Sequence, residues 1–113
     1  MPVTIRNKQY STVAERVKSA HAAGGFTILA SEIVPFGPDR YAVKVTILVA
    51  DRQFIGTSEI RLTAKAGTAD GDAPIECAET SALGRALAFA GFATDGTIAS
   101  ADEMLRMTPA KAA

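Results

Sequence analysis

Polar and apolar residues alternate most regularly over positions 41–50, where Val43, Val45, Ile47 and Val49 take one side and Lys44, Thr46 and Leu48 the other. A period of two is that of an extended strand with one buried face. Residues 53–62 read as a second strand after a tight turn at Asp51-Arg52. If Ala50 pairs with Gln53, Val49 faces Phe54, Val45 faces Ser58 and Val43 faces Ile60. On the other side Lys44 then meets Glu59, Thr46 meets Thr57 and Leu48 meets Ile55. A one-residue slip would destroy this match of apolar with apolar and cation with anion. Upstream, 26–34 reads as a third strand, separated by a turn at 35–40 (PFGPDR) that holds two prolines.

The flanks follow the helical period instead. Thr12 and Glu15 form a capping box, Val13, Val17 and Ala20 recur on one side, and Gly24-Gly25 supplies a helix stop. Residues 63–73 make a polar, glycine-containing loop. Pro74 then suits the first turn of a helix that extends to about residue 90, before Gly91. A second capping box, Ser100-Ala101-Asp102-Glu103, opens a short C-terminal helix, and residues 108–113 are expected to fray. The pattern predicts an α+β fold: an α-β-β-β-α core whose three-stranded antiparallel meander packs on a long helix, plus the short C-terminal helix. Residues 1–107 are expected to form one oligomerising domain, and 113 residues suffice to bury roughly two-thirds of the unfolded surface.

Composition narrows the chemistry. The chain has no net charge, yet residues 1–65 hold nine basic and five acidic side chains while 66–113 hold three basic and seven acidic. Halves of +4 and −4 permit a basic face for an anionic ligand and suit head-to-tail contact between subunits. The single Cys77 excludes an internal disulfide, and with the single His21 it cannot build a tetrahedral zinc site. Asp70-Gly71-Asp72 lacks the remaining ligands of a calcium loop, and no Lys-Ser/Thr follows Gly67 or Gly71 as a phosphate loop requires. No base stands near a nucleophile, so neither an enzyme nor a cofactor is expected. The opening MPVTIRNKQY has no apolar signal core and no apolar run approaches about 18 residues, which points to a soluble cytoplasmic protein.

The segment 76–103 carries the strongest functional signal. It is rich in Ala and Gly with one basic residue, Arg85, so another surface must approach it closely. Gly84 beside Arg85, with Ser81 and Ala88 on its side, leaves room for a phosphate. Lys44 and Arg61 project from the polar side of the second hairpin and Arg52 stands at its tip; Lys65, Arg6 and Lys8 complete the basic N-terminal half. These seven cations, with Ser81, Gly84 and Ala88 as the close-approach residues, form the expected nucleic-acid site.

The run from Glu79 to Phe92, ETSALGRALAFAGF, followed by Ile98-Ala99-Ser100-Ala101-Asp102-Glu103, resembles the ETSAxGRALAxxG helix and ASADE sequel of phage-type single-strand annealing proteins. These belong with the eukaryotic Rad fifty-two annealing protein and the Sak, Erf and Redβ recombinases. Tyr10 with Thr12-Val13-Ala14-Glu15-Arg16-Val17 is similar to the start of small phage proteins carrying that helix. The resemblance implies a homo-oligomeric ring or filament that holds single-stranded DNA by its backbone in a groove between a hairpin and the helix. It implies ATP-independent strand annealing in phage recombination, alongside a phage exonuclease or a host single-strand-binding protein. Arg85 falls at the family's basic pair; Gly84 stands at one of those two positions and implies a less basic groove. Two further readings stay open: an oligomeric scaffold or regulator of the same fold without DNA binding, and a double-stranded RNA-binding domain. The second shares the α-β-β-β-α order but grips phosphate with basic residues where this chain has Pro74-Ile75-Glu76-Cys77-Ala78-Glu79.

Overall fold

The computed structural model describes residues 3–5, 8–10, 12–63, 66–67 and 69–93. Two short strands, β1 (Val3–Ile5) and β2 (Lys8–Tyr10), pair antiparallel in a hairpin that the sequence pattern did not announce. Helix α1 (Val13–Ala22) follows, capped as expected: the Glu15 N–H donates to Thr12 Oγ1 at 3.0 Å and the Thr12 N–H to Glu15 Oε1 at 2.8 Å. Gly24 and Gly25 close it at φ +114° and +90°, conformations that cost glycine little.

A meander of β3 (Thr27–Gly37), β4 (Arg40–Val49) and β5 (Arg52–Glu59) forms one antiparallel sheet in the order β3-β4-β5. After a four-residue helix, α2 (Ala69–Asp72), inside the expected loop, α3 (Pro74–Phe89) packs across β4 and β5, and α1 packs on α3. The expected α-β-β-β-α order is therefore present in a mixed α+β fold. The expected C-terminal helix and frayed tail lie outside the described residues.

The turn between β3 and β4 and the span of β5 differ from the sequence pattern, β5 stopping at Glu59 rather than Leu62. β3 continues through Pro35 to Gly37, and only Pro38-Asp39 turns. Proline is tolerated there for a geometric reason. The Tyr41 carbonyl accepts from the Ile60 N–H, so the polar groups of Tyr41 face β5 and those of its partner Pro35 face the open side of β3. The missing N–H thus breaks no ladder bond.

The β4–β5 register is also corrected. Val49 pairs with Arg52 rather than Phe54, Ile47 with Phe54, Val45 with Gly56 and Lys44 with Thr57, a shift of two residues from the expected pairing. A shift of two keeps every side chain on its face, so the apolar pattern could not separate the two registers. The turn and the helix do. Ala50 and Asp51, at φ +47° and +69°, make the two-residue left-handed turn that suits strand twist. In this register Gly56 lies where α3 crosses β5. A Cβ at Gly56 would fall on the Ala82 carbonyl oxygen and 2.6 Å from the Ala86 nitrogen.

The core lies between the sheet and α3. Val43, Val45, Ile47, Ile60, Ala78, Ala82, Ala86 and Leu87 are buried there with Ala20 of α1. Each large aliphatic among them contributes about 1.5–3 kcal/mol, and the alanines let helix and sheet come close enough to pack the rest.

Candidate nucleic-acid interface

The small-residue helix has two close neighbours within the chain. Ala78, Ala82 and Ala86 recur every four residues and belong to the face seated on the sheet. Ser81, Gly84 and Ala88 are buried as well, and a Cβ at Gly84 would lie 2.7 Å from Val13 Cγ2. The space beside Gly84 that was expected to receive a phosphate is filled by α1. Buried Arg16 reinforces that contact: its Nη1 donates to the Gly84 carbonyl at 3.1 Å and its Nε to the Ala93 carbonyl at 3.3 Å. A buried cation persists only when its donors are satisfied, so Arg16 pins α1 to α3 and to the chain that follows it. No motif distinguished Arg16 from the surface cations; only its neighbours do.

Arg85 is half-buried on α3 between buried Gly84 and Ala86. Two helical residues are separated by about 200°, which puts Arg85 nearly opposite Leu83. Leu83 lines an opening of about 240 Å³ with Ile28, Ser31, Val45, Glu79 and Thr80, between β3 and α3. Arg85 therefore points away from that opening. At its mouth Ser31 donates to Glu79 Oε2 at 2.6 Å, and Glu76 and Glu79 are both exposed. An apolar, acidic lining repels phosphate.

Lys44 occupies the sheet face turned away from α3, since its neighbours Val43 and Val45 point into the core. Its cross-strand partners are Glu32 on β3 and Thr57 on β5, in place of the expected Glu59. Glu59 instead binds Arg40, which donates from Nε at 3.2 Å and Nη2 at 3.1 Å and also stacks over Phe36 with 4.5 Å to the ring centroid. Hydrogen bonding from Arg40 holds the Glu59 carboxyl below its ordinary range, with the charges of Arg40 and Arg61 adding to the effect. Arg61, exposed just past β5, thus shares one end of the outer sheet face with Arg40. Arg40 had been read only as part of a turn; two prolines upstream concealed that it starts a strand.

Arg52 is exposed at the opposite end of β5, beside the turn. Lys8 lies in β2, and Arg6 and Lys65 are outside the described residues. The fold accordingly gathers Lys44, Arg40 and Arg61 on the outer face and leaves Arg85 on the helical side. Of the expected cations, Lys44, Arg61, Arg52 and Arg85, whose surroundings are described, do not form one cluster.

His21, in the last turn of α1, is exposed with its ring 5.4 Å from that of Phe26, and Cys77 is half-buried on α3. Among the described residues no three His, Cys, Asp or Glu side chains group as metal ligands, and no helix is long and apolar enough to cross a membrane. No family model, curated protein or solved structure matches this chain.

Proposed function

We propose that this protein binds single-stranded DNA and anneals complementary strands as a cytoplasmic homo-oligomer, without nucleotide hydrolysis. The observation that carries this reading is the GRAL segment of α3. There Arg85 is half-buried while Gly84, Ala86 and Leu87 around it are buried. Arginine suits the role because its planar fork meets phosphate oxygens in pairs. In this mechanism Arg85 holds the backbone on one side of the sheet while Lys44 and Arg61 offer a second basic surface on the other. Bases are left free to pair, because nothing in the site reads their edges. A phage exonuclease or a host single-strand-binding protein would act on the same strand.

Fluorescence polarisation of labelled single strands over a salt series tests the proposal. Binding should weaken linearly in log–log form, with a slope of about −0.7 per phosphate neutralised. Absence of binding at low salt, or indifference to salt, sinks it. Arg85→Ala should weaken binding while the assembly and its melting temperature are retained; collapse of the assembly would make Arg85 structural. The acidic, apolar opening beside β3 favours one other reading, an oligomeric scaffold without DNA. Light scattering that finds an assembly indifferent to every nucleic acid would select it.

A further inference from the structure

Both outer strands of the meander, β3 and β5, pair on one side only among the described residues. Unpaired strand edges are templates for another strand unless they are blunted. β3 holds two such devices towards its ends, Pro35 and the register shifts at Ile28/Ala30 and Pro35/Gly37, but its middle, 31–34, holds neither. The strand has no Lys or Arg, and Ile28, Leu29, Ile33 and Phe36 are 46–54% exposed along it. Alternation from Pro35 turns the N–H and C=O of Ile33 and Ser31 towards the side away from β4, where no described strand pairs. Among the described residues α3 lies mainly over β4 and β5, and the 240 Å³ opening stands between it and the helical side of β3.

The two edges differ in charge. Residues 22–39 hold Glu32 and Asp39 without any Lys or Arg, and Glu79 overhangs the same edge. β5 begins with Arg52 and is followed by Arg61, while its Glu59 is already engaged by Arg40. β3 thus carries no cation of its own, whereas Arg52 and Arg61 bound β5, with Asp51 and Glu59 beside them.

We infer that β5 of one copy pairs with β3 of the next, so that the meander continues as one sheet through a ring or filament. The contact is heterologous, joining two different edges, and copies repeating in one orientation make the new strand pair parallel. Spacing supports it. Strands lie about 4.8 Å apart, so α3 helices repeat about every 14 Å, against a helix diameter of about 10–12 Å. The neighbour's α3 then closes the far side of the opening, and Ile28, Ile33 and Leu83 fill the remaining gap. A two-fold β3–β3 contact fits less well. Exchange between Ser31 and Ile33 would set Glu32 directly against Glu32, which is destabilising, and it would leave both β5 edges open.

This inference rests on the homo-oligomer of the proposed function. It is tested by cross-linking in a Cys77→Ser background, with Glu32→Cys and Thr57→Cys made separately; both positions are exposed on the outer sheet face. A short bismaleimide should join the two variants when they are mixed and neither when alone, and the double variant should give a ladder of multimers. Dimers from Glu32→Cys alone would overturn the inference in favour of the two-fold contact. An assembly seen by light scattering without any mixed cross-link would overturn it while the annealing reading stands. A wild-type monomer that binds single strands would overturn it too, together with the assembly but not the DNA binding. Ile33→Lys, at a side chain 54% exposed, should keep its circular dichroism spectrum and fall to the mass of one chain. An intact oligomer from that folded variant would also overturn the contact.

Discussion

Gly56 and Gly84 are the positions where single atoms decide the packing of α3, and their neighbours differ in kind. At Gly56 the obstacle is helix backbone, which cannot yield without moving the whole element. Gly56→Ala should therefore destabilise by roughly 3 kcal/mol or more, at or beyond the upper end for overpacking, or prevent folding. At Gly84 the obstacle is one methyl of Val13. Gly84→Ala should cost about 1–2 kcal/mol, and adding Val13→Ala should recover part of that loss as a coupling energy. Denaturant melts of Gly56→Ala, Gly84→Ala, Val13→Ala and the Val13→Ala/Gly84→Ala double variant check both expectations; equal effects of the two glycine substitutions would refute this account of α3. Titration belongs to the same scale. Because Arg40 lowers the Glu59 pKa, the pair's contribution is present above the ordinary glutamate range and lost as pH falls through the folded value. Both side chains are exposed, so Glu59→Gln should lower the melting temperature only slightly at pH 7 and not at all near pH 2. A difference that persists in acid would show that Glu59 acts through something other than its charge.

At the level of elements, α1 is short and depends on its ends and its packing. Ten residues are too few for an isolated helix to persist in water. The capping box and the α3 contact supply what propensity does not. Thr12→Ala should cost about 1 kcal/mol, read as a lower urea midpoint at an unchanged slope. A change in slope instead would mean that α1 comes loose separately from the rest. The presence of α1, α3 and the three meander strands, the cap at Thr12 and the faces of β4 were legible from sequence because they rest on local periodicity and short-range hydrogen bonds; β1, β2 and α2 were not. The register of β5 was not, since a shift of two residues preserves the pattern and only α3 crossing at Gly56 distinguishes the alternatives.

Across the whole molecule, the sheet separates the cations into two groups. Lys44 lies on the outer face and Arg85 on the helical side, with the core between them. If each holds a different stretch of backbone, Lys44→Ala and Arg85→Ala should weaken single-strand affinity independently. The double variant should then lose the sum of the two free energies within about 0.5 kcal/mol, as distant sites do. Strong non-additivity in polarisation titrations would mean that both touch one phosphate cluster, which this arrangement forbids within a single copy. The candidate site was only partly readable for the same reason. Sequence identifies which residues are cationic, but whether two cations share a surface depends on how strands and helices stack.

The chain's own pattern determined the order of the α-β-β-β-α core, the face each residue of β4 and β5 takes and the closeness with which something must approach α3. These follow from side-chain period and residue size, properties of short segments. Tertiary structure decided what does the approaching: Gly56 of β5 on one side, and Val13 and buried Arg16 of α1 on the other. It also decided that Arg40 rather than Lys44 meets Glu59, and that an opening remains between β3 and the helix. Each of these depends on residues separated by 19 to 77 positions in sequence, and no local pattern encodes such a meeting.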